Sequence, residues 1–267
     1  MADRNMFGKV ELIESLDDIS GDIERPIRGF LIGGLAMVLR GSKAVTKDID
    51  IVFKNEGSAR VFIKALQQNG YSEPRKLTKE YIQMNTTYVF KNGKGQQFDV
   101  FVNQVCNGLF LSKRMIDRSI NAFESGNINI RALSLDDIFL FKAITEREHD
   151  IDDMYSIATS VINWEGIEEE LRRQPESWKW LYKYHERLID LKEKYHIESP
   201  SIISLEEDAE ISKAMCIIMS LLKIKPRTEN DILEPVSRED SDFLKKVIRI
   251  MVDRKMISRE GKRLLIT

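Results

Sequence analysis

The chain has 267 residues, 42% of them hydrophobic and 31% charged, with a formal net charge of −2. That length suits one large domain or two modest ones with ample cores, and the near-neutral balance excludes a whole-chain field directed at nucleic acid or membrane. Cys106 and Cys216 stand far apart, and no Cys/His cluster has metal-ligand spacing, which argues against a disulfide framework or a zinc site.

The opening MADRNMFGKV carries charges where a signal peptide needs an apolar run, and no apolar stretch approaches a membrane span. A soluble, cytoplasmic protein with no membrane partner is expected. Residues 10–22, VELIESLDDISGD, have helical apolar spacing. IRGFLIGG (27–34) reads as a strand stopped by paired glycines, and LAMVLRGS (35–42) as a helix ending at Gly41. SARVFIKALQQNGY (58–71) is a helix closed by Asn69-Gly70, and YIQMNTTYVF, KNGKG and QQFDVFVN form a hairpin signal over 81–103.

Asp-Ile-Asp occurs twice, in VTKDIDIVF (45–53) and REHDIDDMY (147–155). Side chains two apart point the same way on a strand and nearly opposite ways on a helix. The β-branched surroundings of Asp48 and Asp50 predict a buried strand. Ile138, Phe141, Ile144, Ile151, Met154 and Ile157 recur at three, four and seven, which predicts one helix from Ser134 through the second copy. Asp48 and Asp50 can therefore converge on a cation, whereas Asp150 and Asp152 cannot act as a pair.

Asp99 interrupts the apolar strand QQFDVFV, on the face opposite Phe98, Val100 and Val102. A buried strand excludes a carboxylate unless it is paired or metal-bound, although a solvent-facing edge strand would also accept it. Asp48, Asp50 and Asp99 on adjacent strands are candidates to hold two magnesium ions for phosphoryl transfer. Gly33 and Gly34 lack side chains, so backbone N–H groups could approach a triphosphate there; either glycine also suits an ordinary turn.

Gly-Gly, then Asp-Ile-Asp, then Phe-Asp-Val-Phe together resemble the DNA polymerase β-like nucleotidyltransferase superfamily. Lys142, Arg147, His149, Asp150 and Asp153 resemble the "K…R…KD…D" helix of its abortive-infection toxin (AbiEii-like) branch, with His149 where that branch carries lysine. The resemblance covers residues 28–158. It implies metal ligands Asp48, Asp50 and Asp99, nucleotide contacts from Gly33, Gly34, Lys43, Thr46, Lys142 and Arg147, and a base or acceptor-orienting role for Asp150. Relatives carry Gly-Ser at Gly33-Gly34 and an arginine at Ala44, beside Lys43. Lys142 and Arg147 also suit the wet face of an ordinary helix.

PESWKWLYKYHERLIDLKEKYHI (175–197) is expected to be helical, with Trp178, Leu181, Tyr182, His185 and Leu188 along a buried face in preference to a base-stacking surface. ESPSIISLEED (198–208) reads as a linker. Residues 211–267 carry 13 Lys and Arg against 8 Asp and Glu. Three helical segments and two short β-runs about Glu260-Gly261 give the order of a winged helix, with Lys245, Lys246, Arg249, Arg259, Lys262 and Arg263 on its basic side.

The expected architecture is an α/β (α+β) nucleotidyltransferase fold: a catalytic domain with a mixed sheet over 1–130, a helical domain over 131–200 completing the active site, and a winged-helix-like domain over 205–267. The expected activity is magnesium-dependent transfer of a nucleoside monophosphate from an NTP to a hydroxyl of RNA, protein or a small molecule, releasing pyrophosphate. The alternative is a retired NTP-binding domain fused to a DNA-binding winged helix. Residues 208–267 are expected to meet a nucleic-acid or protein partner.

Overall fold

The structure is a computed structural model and describes residues 8–74, 88–106, 108–145, 147–235 and 237–267. The first seven residues of the charged opening, and residues 81–87 of the expected hairpin, lie outside the described residues. The chain forms two compact units, one of Met1–Pro175 with Asp190–Ile197 and one of Glu176–Ile189 with Glu198–Thr267. The helices between residue 131 and Pro175 fall with the sheet in the first unit, and residues 176–189 fall in the second.

In the first unit, α1 (Lys9–Ser20) is followed by β1 (Ile27–Ile32), α2 (Gly33–Leu39), β2 (Ile49–Phe53) and α3 (Glu56–Gln68). The Asn55 carboxamide accepts from the Ser58 N–H at 2.9 Å to cap α3, and Gly70, at φ 79°, follows its end. After β3 (Tyr88–Lys91) and β4 (Gln97–Val102) come the small strands β5 (Gln104–Val105) and β6 (Leu109–Phe110), then α4 (Lys113–Arg118), β7 (Ile120–Ser125) and β8 (Ile128–Ala132). Six of these strands build one mixed sheet in the order β3-β4-β2-β1-β8-β7. β2 runs parallel to β4 and β1 to β8, while β1 with β2 and β3 with β4 are antiparallel.

Alternation divides the sheet into two faces. Phe53 and Phe98 point toward α3, where Phe62 meets them at ring-centroid distances of 5.1 and 5.6 Å. Tyr71 closes the group at 5.4 Å from Phe98. Each buried ring contributes about 1.5–3 kcal/mol of transfer free energy, so this face fixes register. The other face is left for Asp50 and Asp99, and β4 sits between β3 and β2 rather than at an edge.

α5 (Leu135–Ile144) starts on the Ser134 hydroxyl, which accepts from the Asp137 N–H, and is buried on nearly every side. Its first turn is anchored by Asp137, paired with Arg118, whose guanidinium also reaches Glu170 at 3.0 Å. The predicted single helix breaks here. Thr145 is extended (φ −74°, ψ 138°), and α6 (Asp150–Ala158) begins afresh with Asp150, Asp152 and Asp153 in its first turn. α7 (Trp164–Arg173) follows.

In the second unit a 3₁₀ turn, Ser177–Lys179, precedes α8 (Leu181–Tyr195), whose last turns belong to the first unit. Trp178 is therefore off the helix. The residues α8 buries are Leu181, Tyr184, Leu188 and Leu191, while Tyr182 and His185 remain half-buried. Beyond α9 (Ser201–Ser204), the expected linker is largely helical: α10 (Glu206–Ile224), β9 (Arg227–Thr228), α11 (Glu229–Leu233), α12 (Arg238–Asp253), β10 (Ile257–Glu260) and β11 (Arg263–Ile266). The three strands form a small sheet in the order β10-β11-β9, turned at Gly261 with φ 59°. Met215, Ile218, Val247, Ile248, Met251 and Leu264 form the core of this unit, and Trp178 packs against it. Among the described residues no helix is long and apolar enough to cross a membrane.

Candidate active site

Asp50 and Asp99 are direct partners in the parallel pairing of β2 with β4. Their side chains therefore leave the sheet side by side on the face without the aromatic core. Asp48 lies just before β2, within electrostatic reach of both. Asp99 is 3% exposed and its Oδ1 accepts from Gln97 Nε2 at 2.6 Å. Burial, then Asp50 and Asp48, push its carboxyl up to about 8. Burial and Asp48 push Asp50 up to about 6, against the pull of Arg147 and Lys142. The strand expected through the first Asp-Ile-Asp begins at Ile49, so it carries Asp50 and leaves Asp48 immediately before it, and the three acidic groups crowd charge that Arg147 and Lys142 only partly offset.

The glycines stand against this group. Gly33 has φ 61°, and a Cβ there would overlap Asp50 Oδ2. A Cβ on Gly34 would overlap Thr46 Oγ1, the hydroxyl that donates at 3.4 Å to the Asp48 carbonyl. Only residues without side chains let the start of α2 close on β2 and its preceding loop. α2 has seven residues, so what these positions provide is open backbone space rather than a long helix dipole.

A second charged group, within electrostatic reach of Asp50, is built by the break between α5 and α6. Lys142 Nζ contacts Asp150 Oδ1 at 2.7 Å and Asp153 Oδ2 at 2.8 Å. Arg147 clamps Asp150 through Nε at 2.9 Å and Nη2 at 3.2 Å. The Thr145 hydroxyl donates to Asp150 Oδ2, and Lys43 Nζ meets Asp153 Oδ1 at 2.6 Å. On one continuous helix, Lys142 and Asp150 would be separated by roughly 12 Å along the axis. The break turns that separation into contact.

Burial works to raise the Asp150 carboxyl, but Lys142 and Arg147 outweigh it and hold it below the ordinary value. Burial works to lower Lys142, and Asp150 with Asp153 outweigh it in turn, raising the ammonium. Both stay charged. Asp152, as the helix geometry requires, points outward, where its Oδ1 accepts from Lys194 Nζ at 2.7 Å and from the Tyr195 hydroxyl.

The sequence-predicted residues therefore converge in the first unit as two sets, Asp48, Asp50 and Asp99 with Gly33, Gly34 and Thr46, and Lys142, Arg147 and Asp150 with Lys43. Against the pull of burial, Asp50 adds, after Asp150, to the negative charge that raises the Arg147 guanidinium. Sequence reasoning passed over Gln97 and Thr145; alternation on β4 places Gln97 on the Asp99 face, whereas Thr145 carries no signal until the helix break is known. Cys106 also lies near Arg147, with its thiol pushed by burial up to about 12. Carboxylates are hard oxygen donors that suit a divalent cation such as magnesium. Among the described residues, no group of three or more His, Cys, Asp or Glu side chains is already closed into a metal-holding cluster.

Comparison with known families adds one match. A family model described as "Nucleotidyltransferase of unknown function (DUF6036)" matches residues 9–196, more than half of the chain. No curated protein matches.

Proposed function

Since the chain belongs to this nucleotidyltransferase family, we propose that it transfers a nucleoside monophosphate from an NTP to a hydroxyl acceptor, releasing pyrophosphate, at the site of Asp48, Asp50 and Asp99. The observation that carries the reading is the register of Asp50 beside Asp99, with Gly33 packed on Asp50 and Asp48 acting electrostatically on both carboxyls. We place the first unit with the polymerase β-like superfamily, near its abortive-infection toxin branch, and assign the acceptor to RNA, protein or a small molecule. The order helix, strand, two helices and hairpin supports a winged-helix-like reading of the second unit.

The three carboxylates would hold magnesium. The raised proton affinity of Asp50 and Asp99 reflects burial and then crowded negative charge, and a hard divalent cation relieves that crowding. Bound there, two ions would supply neutralisation of the phosphates and activation of the acceptor oxygen. The chain's own residues do the remaining work. Gly33 and Gly34 leave room for phosphate oxygens against the backbone. Lys142 has three N–H donors, of which Asp150 and Asp153 take two; the third is assigned to the triphosphate, together with the outer N–H groups of Arg147. Of the roles the resemblance implied for Asp150, base or acceptor-orienting group, we favour neither: held as an anion by Lys142, Arg147 and Thr145, it is a positioning residue for these cations.

The second unit is read as the part that meets the acceptor or a partner. Three of the basic residues that would face nucleic acid are already matched: Lys245 to Asp242 at 2.8 Å, Lys246 to Glu207 at 2.7 Å and Arg259 to Glu229 at 2.7 Å. That favours a protein partner over a polyanion.

The test is incubation of the protein with magnesium, each α-labelled NTP in turn, and total RNA or cell lysate. Label should pass to an acceptor and pyrophosphate should appear, and Asp48→Asn should abolish both while leaving the melting curve intact. Label transfer at the wild-type rate by Asp48→Asn overturns the assignment.

A further inference from the structure

Among the described residues, the helices that expose two large hydrophobic side chains are α1 and α10, and their charges are opposite. On α1, Val10 is 64% and Ile13 37% exposed. Glu14 and Asp17 lie four and seven residues after Val10, on the same side of the helix. Glu11 and Asp18 flank them, so four carboxylates accompany a single cation, Lys9, on this helix. On α10, Ile217 is 55% and Ile224 74% exposed. They share a stripe with Lys213, which also meets Glu186 at 2.7 Å, Ser220 and Lys223, and residues 211–225 contain Lys213, Lys223 and Lys225 but no acidic residue. Lys179 and Lys183 extend the basic side, since with Lys223 they are the cations that face Cys216.

Neither exposed face is needed inside its own unit. α1 already buries Leu12, Leu16 and Ile19, and α10 buries Ala214, Met215, Ile218 and Leu222 in the second core. Isoleucines rimmed by lysines mark an interaction surface, and a phosphate backbone offers nothing to cover them. An acidic helix with its own exposed aliphatic side chains does, and this chain carries one.

We propose that the protein self-associates, with the acidic face of α1 in one copy laid on the basic stripe of α10 in another. Complementary charge sets the pairing and apolar contact holds it. A two-fold arrangement makes the same contact twice, because residue i meets j and j meets i. That repetition moves the buried area toward the roughly 1,200 Å² at which stable interfaces begin. Screening of the exposed charges predicts weaker association in high salt.

The test uses the full chain in sedimentation velocity across a micromolar concentration series. Wild type should show a species of twice the chain mass that grows with concentration. Glu14→Lys with Asp17→Lys should sediment as a single copy, and so should Lys213→Glu with Lys223→Glu, because each sets like charges against one another. An equimolar mixture of the two variants should recover a one-to-one complex. All four positions are exposed, and unchanged circular dichroism will show that the variants fold. A single-copy mass for wild type at every concentration overturns self-association. Variants that still associate, or a mixture that does not, overturn the α1–α10 pairing.

Discussion

Asp99→Asn should make the metal-free protein more stable at neutral pH. In the fold, the Asp99 carboxyl is pushed up to about 8 from an ordinary 3.8 by burial and by Asp50 and Asp48. The folded state therefore keeps a proton that the unfolded state gives up. The contribution of this group is greatest below the ordinary value and is lost as pH rises toward about 8, the reverse of a salt-bridged aspartate. Within that window one fully displaced carboxyl costs about 1.4 kcal/mol per pH unit, so the loss between pH 5 and pH 7 is about 2–3 kcal/mol. Asparagine carries no charge, and its amide oxygen can still accept from Gln97. The variant should gain at least that amount at pH 7, and so at least about 5 °C in the first unit's melting midpoint, and show a flatter pH slope. Melts in chelator from pH 5 to 8 measure the difference between the two proteins. Added magnesium should raise the wild-type midpoint and leave that of Asp99→Asn nearly unmoved. A variant less stable than wild type in chelator, or with the same slope, refutes the charge-crowding argument.

The two Asp-Ile-Asp copies should separate under mutation. Asp150→Ala leaves the buried Lys142 and the Arg147 guanidinium without their carboxylate and should cost about 3–5 kcal/mol in urea melts, whereas Asp152→Asn, losing an exposed pair with Lys194, should stay within about 1 kcal/mol. Gly33→Ala should lose about 1–2 kcal/mol from its left-handed backbone and displace Asp50, so nucleotide transfer should fall further than stability does; equal activity would show that the open space at Gly33 is not used. Cys106, buried with a raised thiol, should resist a thiol reagent at pH 8 until the protein unfolds, and rapid labelling of the folded protein would contradict its placement. A segment cut at residue 205 lacks Trp178, whose ring packs on the second core and whose carbonyl accepts from Ser212; it should melt below a segment that begins at residue 176.

Much of the carboxylate face was legible because a strand has a period of two that no context alters. Once VTKDIDIVF reads as a strand, Asp50 must lie on the face opposite Ile49 and Ile51, and Phe98 and Val100 on one face of QQFDVFV must leave Asp99 on the other. Hydrophobic periodicity served the helices less well. Ile138, Phe141, Ile144, Ile151, Met154 and Ile157 keep helical spacing across Thr145–His149, so the pattern runs on where the backbone does not. The break depends on Asp150 satisfying Lys142, Arg147 and Thr145 together, a tertiary bargain without a local marker. β7 and β8 escaped for a related reason. INIRA alternates over five residues, too short to be separated from loop until β1 supplies a parallel partner 101 residues earlier in the chain.

The helix break also decides what kind of residue Asp150 is. A general base needs a proton affinity near that of the solution and an open lone pair. Asp150 is fully buried, with both oxygens engaged by Lys142, Arg147 and Thr145, and its proton affinity is lowered. It can neither take a proton readily nor approach an acceptor. What it can do is fix two cations, at the cost of sharing their charge. Counting Lys43, Lys142 and Arg147 against Asp150 and Asp153 leaves the group with one net positive charge, near the three carboxylates. Such a balance binds a triphosphate weakly by itself and much better once cations cover Asp48, Asp50 and Asp99. NTP affinity should therefore climb steeply with magnesium. Filter binding of labelled NTP in chelator and in magnesium measures this directly, and equal affinity in the two would mean that the cations, not the carboxylate face, govern nucleotide binding.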